Sequence, residues 1–485
     1  MARQIVIGLE IHLQLNTKTK LFCNCSTDYI GATPNTNVCP ICLAVPGTLP
    51  LLNDHAVELA VRMGLGLHCE IHNNTRFHRK HYFYADLPKA YQITQYEDAI
   101  AVGGYVDIIA NGKPKRVRLD HLHLEEDAGK LVHPTSDGRL SGAAYSLVDY
   151  NRGGIPLSEI VSEPDINSPA EAVAYVMQIR QLARYLEVSD GEMENGSLRV
   201  DVNVSLSNPD GSLGTRVEIK NINSLKSIER ALEYEISRQN RALDDGEKLI
   251  METRLWDDAA GVTRSMRSKE GVRDYRYYLE MDLAPIEAKP DYVEKIRQSL
   301  PEMPWDKRDR FIEEYGLSLD EAVQLTEQRA MADYFEACVA AGAPAQKCAN
   351  WVMIEVQRIL HEHETSISDF SVNAETLGQL IAKVEKRDIS NTQAKDILTA
   401  MVEKGLTLED AIKKCGASGG RVTGADLEEI VKRVIESQPE AAEAVRSGQD
   451  KKGAKVKFLQ GLVMRETRGS ADPAEAAAIV QSILK

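Results

Sequence analysis

Aliphatic residues recur at every second position in the first strand-like stretch, at Ile5, Ile7, Leu9, Ile11 and Leu13, while the alternate positions end in Glu10, His12 and Gln14. A period of two predicts a strand with one buried face. The pleat then sets Glu10 and His12 side by side on the other face. They read either as a pair of metal ligands or as the polar side of a half-solvated edge strand. Three later segments repeat the pattern. Residues 117–127 carry His121, His123 and Glu125 opposite Leu122 and Leu124. Residues 198–206 present Arg199, Asp201, Asn203 and Ser205, and residues 215–221 present Arg216, Glu218 and Lys220. Ser207-Asn208-Pro209-Asp210-Gly211 between the last two predicts a hairpin turn.

A solvent face of an antiparallel sheet draws mostly on Lys, Thr, Glu and Ser. These four segments instead carry His, Asp, Asn, Glu and Arg, side chains that bind metals and phosphates. If the strands share one sheet, its open face is a polar cradle. Glu10, Glu125 and Asp201 could then hold Mg²⁺ through oxygen, with Arg199 and Lys220 facing phosphate oxygens. Between the second and third segments, Arg152 precedes Gly153-Gly154, a pair that lets backbone approach a ligand beside a planar cationic fork.

Helical periodicity appears at 49–67, and again from Ser168, an N-cap followed by Pro169 and Glu171, to about Glu187. From about residue 294 the patterns are helical throughout, with starts at Ser390 and Thr407 and an apolar stripe of Leu427, Ile430, Val431, Val434 and Ile435. The expected fold class is α+β. An N-terminal antiparallel-sheet cradle domain (1–293) precedes an all-helical domain (294–405) and a helical tail (406–485) with a Gly- and Ser-rich connection at 416–424. Arg76 to Tyr84 interleaves basic and aromatic residues, which suits either RNA contact or a polar loop on a core. Lys451, Lys452, Lys455 and Lys457 read as a solvated face or as contacts to an RNA backbone.

Length changes this picture little, since 485 residues suit several domains. Charge narrows it: 73 Asp+Glu against 58 Lys+Arg disfavours a nucleic-acid binder held by bulk charge, so any RNA contact must be local. No stretch is apolar enough to span a membrane, Glu10 and His12 interrupt a signal-peptide core, and the eight cysteines do not form a disulfide framework; a cytoplasmic location is expected. Four of those cysteines are clustered. Cys23-Asn24-Cys25 and Cys39-Pro40-Ile41-Cys42 are two short-spaced pairs joined by a polar loop, a spacing that delivers four thiolates to a structural Zn²⁺; four free thiols are the other reading. There is no phosphate-binding G-x4-G-K-[ST] loop, no G-x-G-x-x-G fingerprint and no protein-kinase motif set. An ATP-using enzyme of this sequence would need an unfamiliar nucleotide site, which the polar cradle could be.

Four separated motifs, Val6 to His12, His123 to Lys130, Asp149 to Pro164 and Gly196 to Asn203, resemble the B subunit family of the bacterial aspartyl/glutamyl-tRNA amidotransferases. The helical end is similar to the YqeY family, which makes the tail YqeY-like and tRNA-binding by implication. The resemblance implies a subunit that phosphorylates the side-chain carboxylate of Glu-tRNA(Gln) or Asp-tRNA(Asn) with ATP and then amidates it. Ammonia would come from an A subunit, clamped by a C subunit, in a heterotrimer. The family's Mg²⁺ site falls here on Glu10, His12 and Glu125. Glu126, Asp201, Arg152, Arg199 and Lys220 join it as catalytic candidates from the strand-face argument. The segment Tyr84-Ala85-Asp86-Leu87-Pro88 departs from the family pattern at its second and fourth places. A non-catalytic, zinc-containing tRNA-binding protein is the rival reading.

Overall fold

The computed structural model describes residues 3–134, 143–208, 210–266, 275–415, 422, 424–447, 450, 453–467 and 471–484. Pro209, Lys451, Lys452 and most of the Gly- and Ser-rich connection lie outside them. The chain divides into two compact units, Met1–Met303 and Pro304–Lys485.

The first unit is built on one sheet. In chain order its principal strands are β1 (Ile5–Gln14), β2 (His78–His81), β3 (Tyr91–Thr94), β4 (Lys113–Glu126), β5 (Pro156–Ser162), β6 (Leu198–Leu206), β7 (Val217–Ile222), β8 (Glu252–Asp257), β9 (Val262–Ser265) and β10 (Tyr278–Leu279). They run side by side as β9-β8-β7-β6-β1-β5-β4-β3-β2-β10; two further strands attach along β4, and a third pairs with one of these. The four strands expected from alternation do share this sheet, with β1 central between β5 and β6. All pairings on the path are antiparallel except β7 with β8, which is parallel. The expected hairpin is the antiparallel pair β6 and β7.

Ile7, Leu9, Ile11 and Leu13 of β1 are buried, as are Val200, Val202 and Val204 of β6. Beneath this apolar face lie α1 (Asp54–Gly66), α2 (Pro169–Tyr185) and α3 (Leu225–Asp244). Each starts on a side-chain cap. Asn53 accepts from His55 and Ala56, Ser168 from Glu171, and Ser224 from Ser227, which satisfies amides that have no partner inside the helix. A fourth helix, α4 (Pro290–Ser299), contacts α1, so the unit runs on to Met303, past the expected boundary at 293.

The second unit is helical. One core gathers Phe311, Phe335, Cys338, Leu377, Ile381 and Ile397 and reaches Ala411 in the helix Leu408–Lys414. That helix was expected in the tail, but its apolar side has its partners in the preceding layer. A separate core joins Leu427, Val431, Val434, Leu459, Val463 and Val480 from the last four helices. Among the described residues no helix is long and apolar enough to cross a membrane.

Candidate functional site

The chemistry-bearing face is the one opposite α1 to α3. The register aligns residues from non-adjacent parts of the chain: Arg199 pairs with His12, His12 with Glu159, and Glu159 with His123. One step along the strands, Asp201 pairs with Glu10. Side chains at these positions share a face because strand residues alternate.

Two groups of metal-binding side chains result. In the first, His12, Glu125 and Glu159 bring ligand atoms within 4.8 Å of one another. His12 Nε2 is 3.6 Å from Glu125 Oε1 and 3.5 Å from Glu159 Oε2, and His123 Nε2 is 3.2 Å from Glu159 Oε2. In the second, Glu10, Asp201 and Glu218 converge within the same limit. Asn203 donates to Glu10 Oε1 at 3.0 Å, and Lys220 bridges Asp201 and Glu218, lying 2.9 Å from the latter. The β6–β7 register shifts at Asp201, between Val200 and Val202, and Asn221 there has φ 67°. A bulge of this kind re-aims side chains at the end of a ladder, and Asn tolerates the left-handed conformation.

Charge is unevenly distributed over this face. Burial penalises the charge of Glu10, and Glu159 adds to the effect, so its carboxyl is held above the ordinary range. Burial also opposes the charge on Glu159, yet His123 and His12 outweigh it and keep this carboxyl ionised well below its ordinary range. Burial disfavours protonated His12 and His123, but Glu159 and Glu125 prevail and raise both, His123 to about 10. Neighbouring carboxylates pushed in opposite directions are a pattern found at acid-base and metal sites.

The face carries its own cations. Arg199 is 3.0 Å from Asp127, which also accepts from Gln14 at 3.2 Å. Arg152 reaches the same carboxylate at 3.6 Å, while its guanidinium donates to the carbonyls of Ala128 and Gly129 at 3.0 and 2.7 Å. It thereby fixes the loop after β4. Lys220 is held protonated, since Asp201 and Glu218 outweigh the burial that opposes its charge.

The sequence-predicted residues therefore divide. His12 and Glu125 meet, whereas Glu10 joins Asp201 in the neighbouring group. Glu126 is not brought to either group. It follows Glu125 on the strand and so points to the other side, where it accepts from Ile93 N at 2.9 Å and pairs with Lys89. There it lines a cavity of about 200 Å³ with Lys20, Cys23, Cys42, Lys89 and Tyr91. Glu159 and Glu218 were not among the chosen ligands. Glu159 sits in β5, whose apolar residues fall on both faces, so no alternation marked it. The available signal was one carboxylate within the apolar run Ile155 to Val161.

Cys23, Cys25, Cys39 and Cys42 also converge, with their sulfurs within 4.8 Å of one another. A tetrahedral Zn²⁺ with Zn–S near ~2.3 Å needs sulfurs roughly 3.8 Å apart, so the set fits. Cys39 N donates to Cys42 Sγ at 3.1 Å, and buried Lys20 lies 3.8 Å from the same sulfur. Donation from Cys23, opposed by burial and helped by Lys20, pushes the Cys42 thiol down to about 5.

Comparison with known proteins gives the geometry a family. The GatB/GatE catalytic domain family matches residues 5–294 and the GatB domain family matches 333–484. The chain is 46% identical to the aspartyl/glutamyl-tRNA(Asn/Gln) amidotransferase B subunit of Thermodesulfovibrio yellowstonii, with 100% of each covered. It is 45% identical to the B subunit of the same enzyme from Thermoanaerobacter pseudethanolicus (98% of this chain, 97% of the other) and 47% identical to that from Trichodesmium erythraeum (97% and 95%). The chain belongs to the family of aspartyl/glutamyl-tRNA(Asn/Gln) amidotransferase B subunits.

Proposed function

We propose that this chain is the subunit in which the side-chain carboxylate of Glu-tRNA(Gln) or Asp-tRNA(Asn) is phosphorylated by ATP and then amidated. The observation that carries the reading is the pair of ligand groups, His12/Glu125/Glu159 and Glu10/Asp201/Glu218, set on one sheet face and joined through β1. A carboxylate is a poor electrophile until one oxygen becomes a phosphate leaving group, and the transferred phosphoryl must be clamped by cations.

The residues suit that task. Glu10, Asp201 and Glu218 are oxygen donors of the kind Mg²⁺ takes, and His12 with Glu125 and Glu159 offers a second, mixed set. Bound Mg²⁺ would neutralise phosphate charge and align the oxygens. Arg199 is ion-paired to Asp127 beside these groups and Lys220 to Asp201 within the second, each ready to exchange a carboxylate for a phosphate oxygen. Arg152 positions the loop after β4. The four thiolates would hold Zn²⁺ structurally.

Ammonia must come from elsewhere, because the sequence has no glutaminase pattern. The reading therefore includes A and C partner subunits. The tail would contribute to tRNA binding.

The test is reconstitution. Combined with A and C subunits, the protein should convert Glu-tRNA(Gln) to Gln-tRNA(Gln) with ATP hydrolysis, and no conversion by well-folded protein overturns the reading. Assaying Asp-tRNA(Asn) in parallel defines the substrate range. Mg²⁺-dependent ATP binding by the complex excludes the non-catalytic tRNA-binding alternative, which predicts none.

A further inference from the structure

One group of residues beside the cations takes no part in the phosphoryl chemistry. Tyr82, Tyr84, Tyr96, Tyr275 and Tyr277 form a continuous row of rings. Centroids are 6.0 Å apart for Tyr84–Tyr82, 6.2 Å for Tyr82–Tyr275 and 6.1 Å for Tyr275–Tyr277. The row ends in Tyr277 stacked on Tyr96, 3.8 Å apart and 6° from parallel.

The register decides which side of the sheet this row occupies. Thr94 of β3 pairs with Glu125, so Gln92, two residues back, shares its face, and Gln92 pairs with Lys80 of β2. On the other edge Arg79 pairs with Tyr278 of β10, which sets Tyr277 opposite Lys80 and Tyr275 opposite Tyr82. The bond from His81 N to Tyr275 O, at 2.9 Å, extends that alignment. Lys80, Tyr82, Tyr275 and Tyr277 therefore lie on the Glu125 side. Lys80 Nζ is 5.0 Å from the Tyr275 ring centre, and it is held protonated against burial by Glu125, Tyr277 and Glu159.

Tyr96 is 53% exposed although Tyr277 stacks on one of its faces and His78 meets it edge-to-face with ring centroids 6.2 Å apart. A half-exposed ring stacked on a second ring, in a row that also carries a cation, is an arrangement on which nucleobases stack.

We propose that this tyrosine ledge is a nucleobase-stacking subsite that seats a purine of a phosphorylated substrate, with Tyr96 as the stacking surface and Lys80 between the ledge and the carboxylates. It rests on the amidotransferase reading. Two substrates of that reaction carry such a group, ATP through its adenine and the aminoacyl-tRNA through its terminal adenosine. Either would be led from the ledge across Lys80 to the cation groups.

The experiment uses the complete complex with A and C subunits and the variants Tyr96→Ala, Tyr96→Phe, Tyr277→Ala and Tyr277→Phe. KM is measured for ATP at saturating Glu-tRNA(Gln), and for Glu-tRNA(Gln) at saturating ATP. Loss of one stacked base should raise one KM roughly 5- to 100-fold in the alanine variants, more than kcat falls. The phenylalanine variants keep the ring and should stay near wild type. A raised KM for ATP assigns the ledge to adenine, and a raised KM for tRNA assigns it to the terminal adenosine. Both KM values unchanged in Tyr96→Ala, within a complex that amidates, overturn the ledge and leave the functional reading standing. Equal losses in the Phe and Ala variants also overturn it. If Tyr277→Ala does not fold, half-exposed Tyr96 still decides the matter. A wild-type complex that does not amidate overturns the functional reading itself, and the ledge with it.

Discussion

His12 Nε2 stands 3.6 Å from Glu125 Oε1 although β5 runs between their two strands. The gap is bridged by Glu159, which rises from β5 and reaches both His12 and His123. Removing its charge should be felt by the whole group. Glu159→Gln keeps the shape and is expected to shift Mg²⁺ activation of ATP hydrolysis by at least about tenfold, with tRNA binding nearly intact. An unchanged Mg²⁺ titration would exclude Glu159 as a ligand.

Asp127 gives a pH-dependent prediction. Burial opposes its charge, but Arg199 and Arg152 prevail and hold its carboxyl below the ordinary range. A carboxyl depressed in the folded state adds stability that is complete above its unfolded value, near pH ~4, and is lost as pH falls through the folded value. Asp127→Asn leaves Arg199 without its charged partner and should cost about 1–2 kcal/mol at neutral pH, less than for a fully buried pair because the Arg199 side chain is 36% exposed. Urea midpoints of the two proteins should differ by a constant amount between pH 8 and 6 and converge below about pH 4. A gap that widens on acidification would contradict the assignment.

The four thiols predict one zinc per chain in protein purified without chelator. Cys25→Ser should lower that content sharply and leave the remaining thiols reactive to a mercurial, because three ligands do not close a structural site. Elemental analysis giving far less than one metal per wild-type chain refutes the site.

In the helical unit, Ser390 caps the helix Asn391–Lys404 in a reciprocal box with Gln393. Ser390→Ala should lower stability by about 1 kcal/mol, read from urea unfolding. The amidation KM values should not move.

How far the sequence was legible follows from where alternation held. β1, β6 and β7 each have one dry face and one polar face, so their periodicity exposed Glu10, His12, Asp201 and Lys220 directly. The helix starts at Ser168, Ser390 and Thr407 were readable because capping is local chemistry. β5 was not readable in this way, since it is covered on both sides and its pattern carries no face. Glu159 therefore emerged only once β5 was known to lie between β1 and β4. Glu126 shows the opposite error, in which adjacency to Glu125 along the chain stood in for sharing a face. The division of ligands into two groups depends on strand order, which no single stretch of sequence encodes.

β1 supplies Glu10 to one group and His12 to the other, and nothing flexible lies between them. Two residues along a strand span roughly 7 Å, a fixed interval, whereas one oxygen bridges metals only roughly 3.5–4 Å apart. The strand thus acts as a ruler. What it fixes is where Glu10 and His12 are rooted, so the two ligand groups cannot drift together or apart while β1 stays paired along both of its edges.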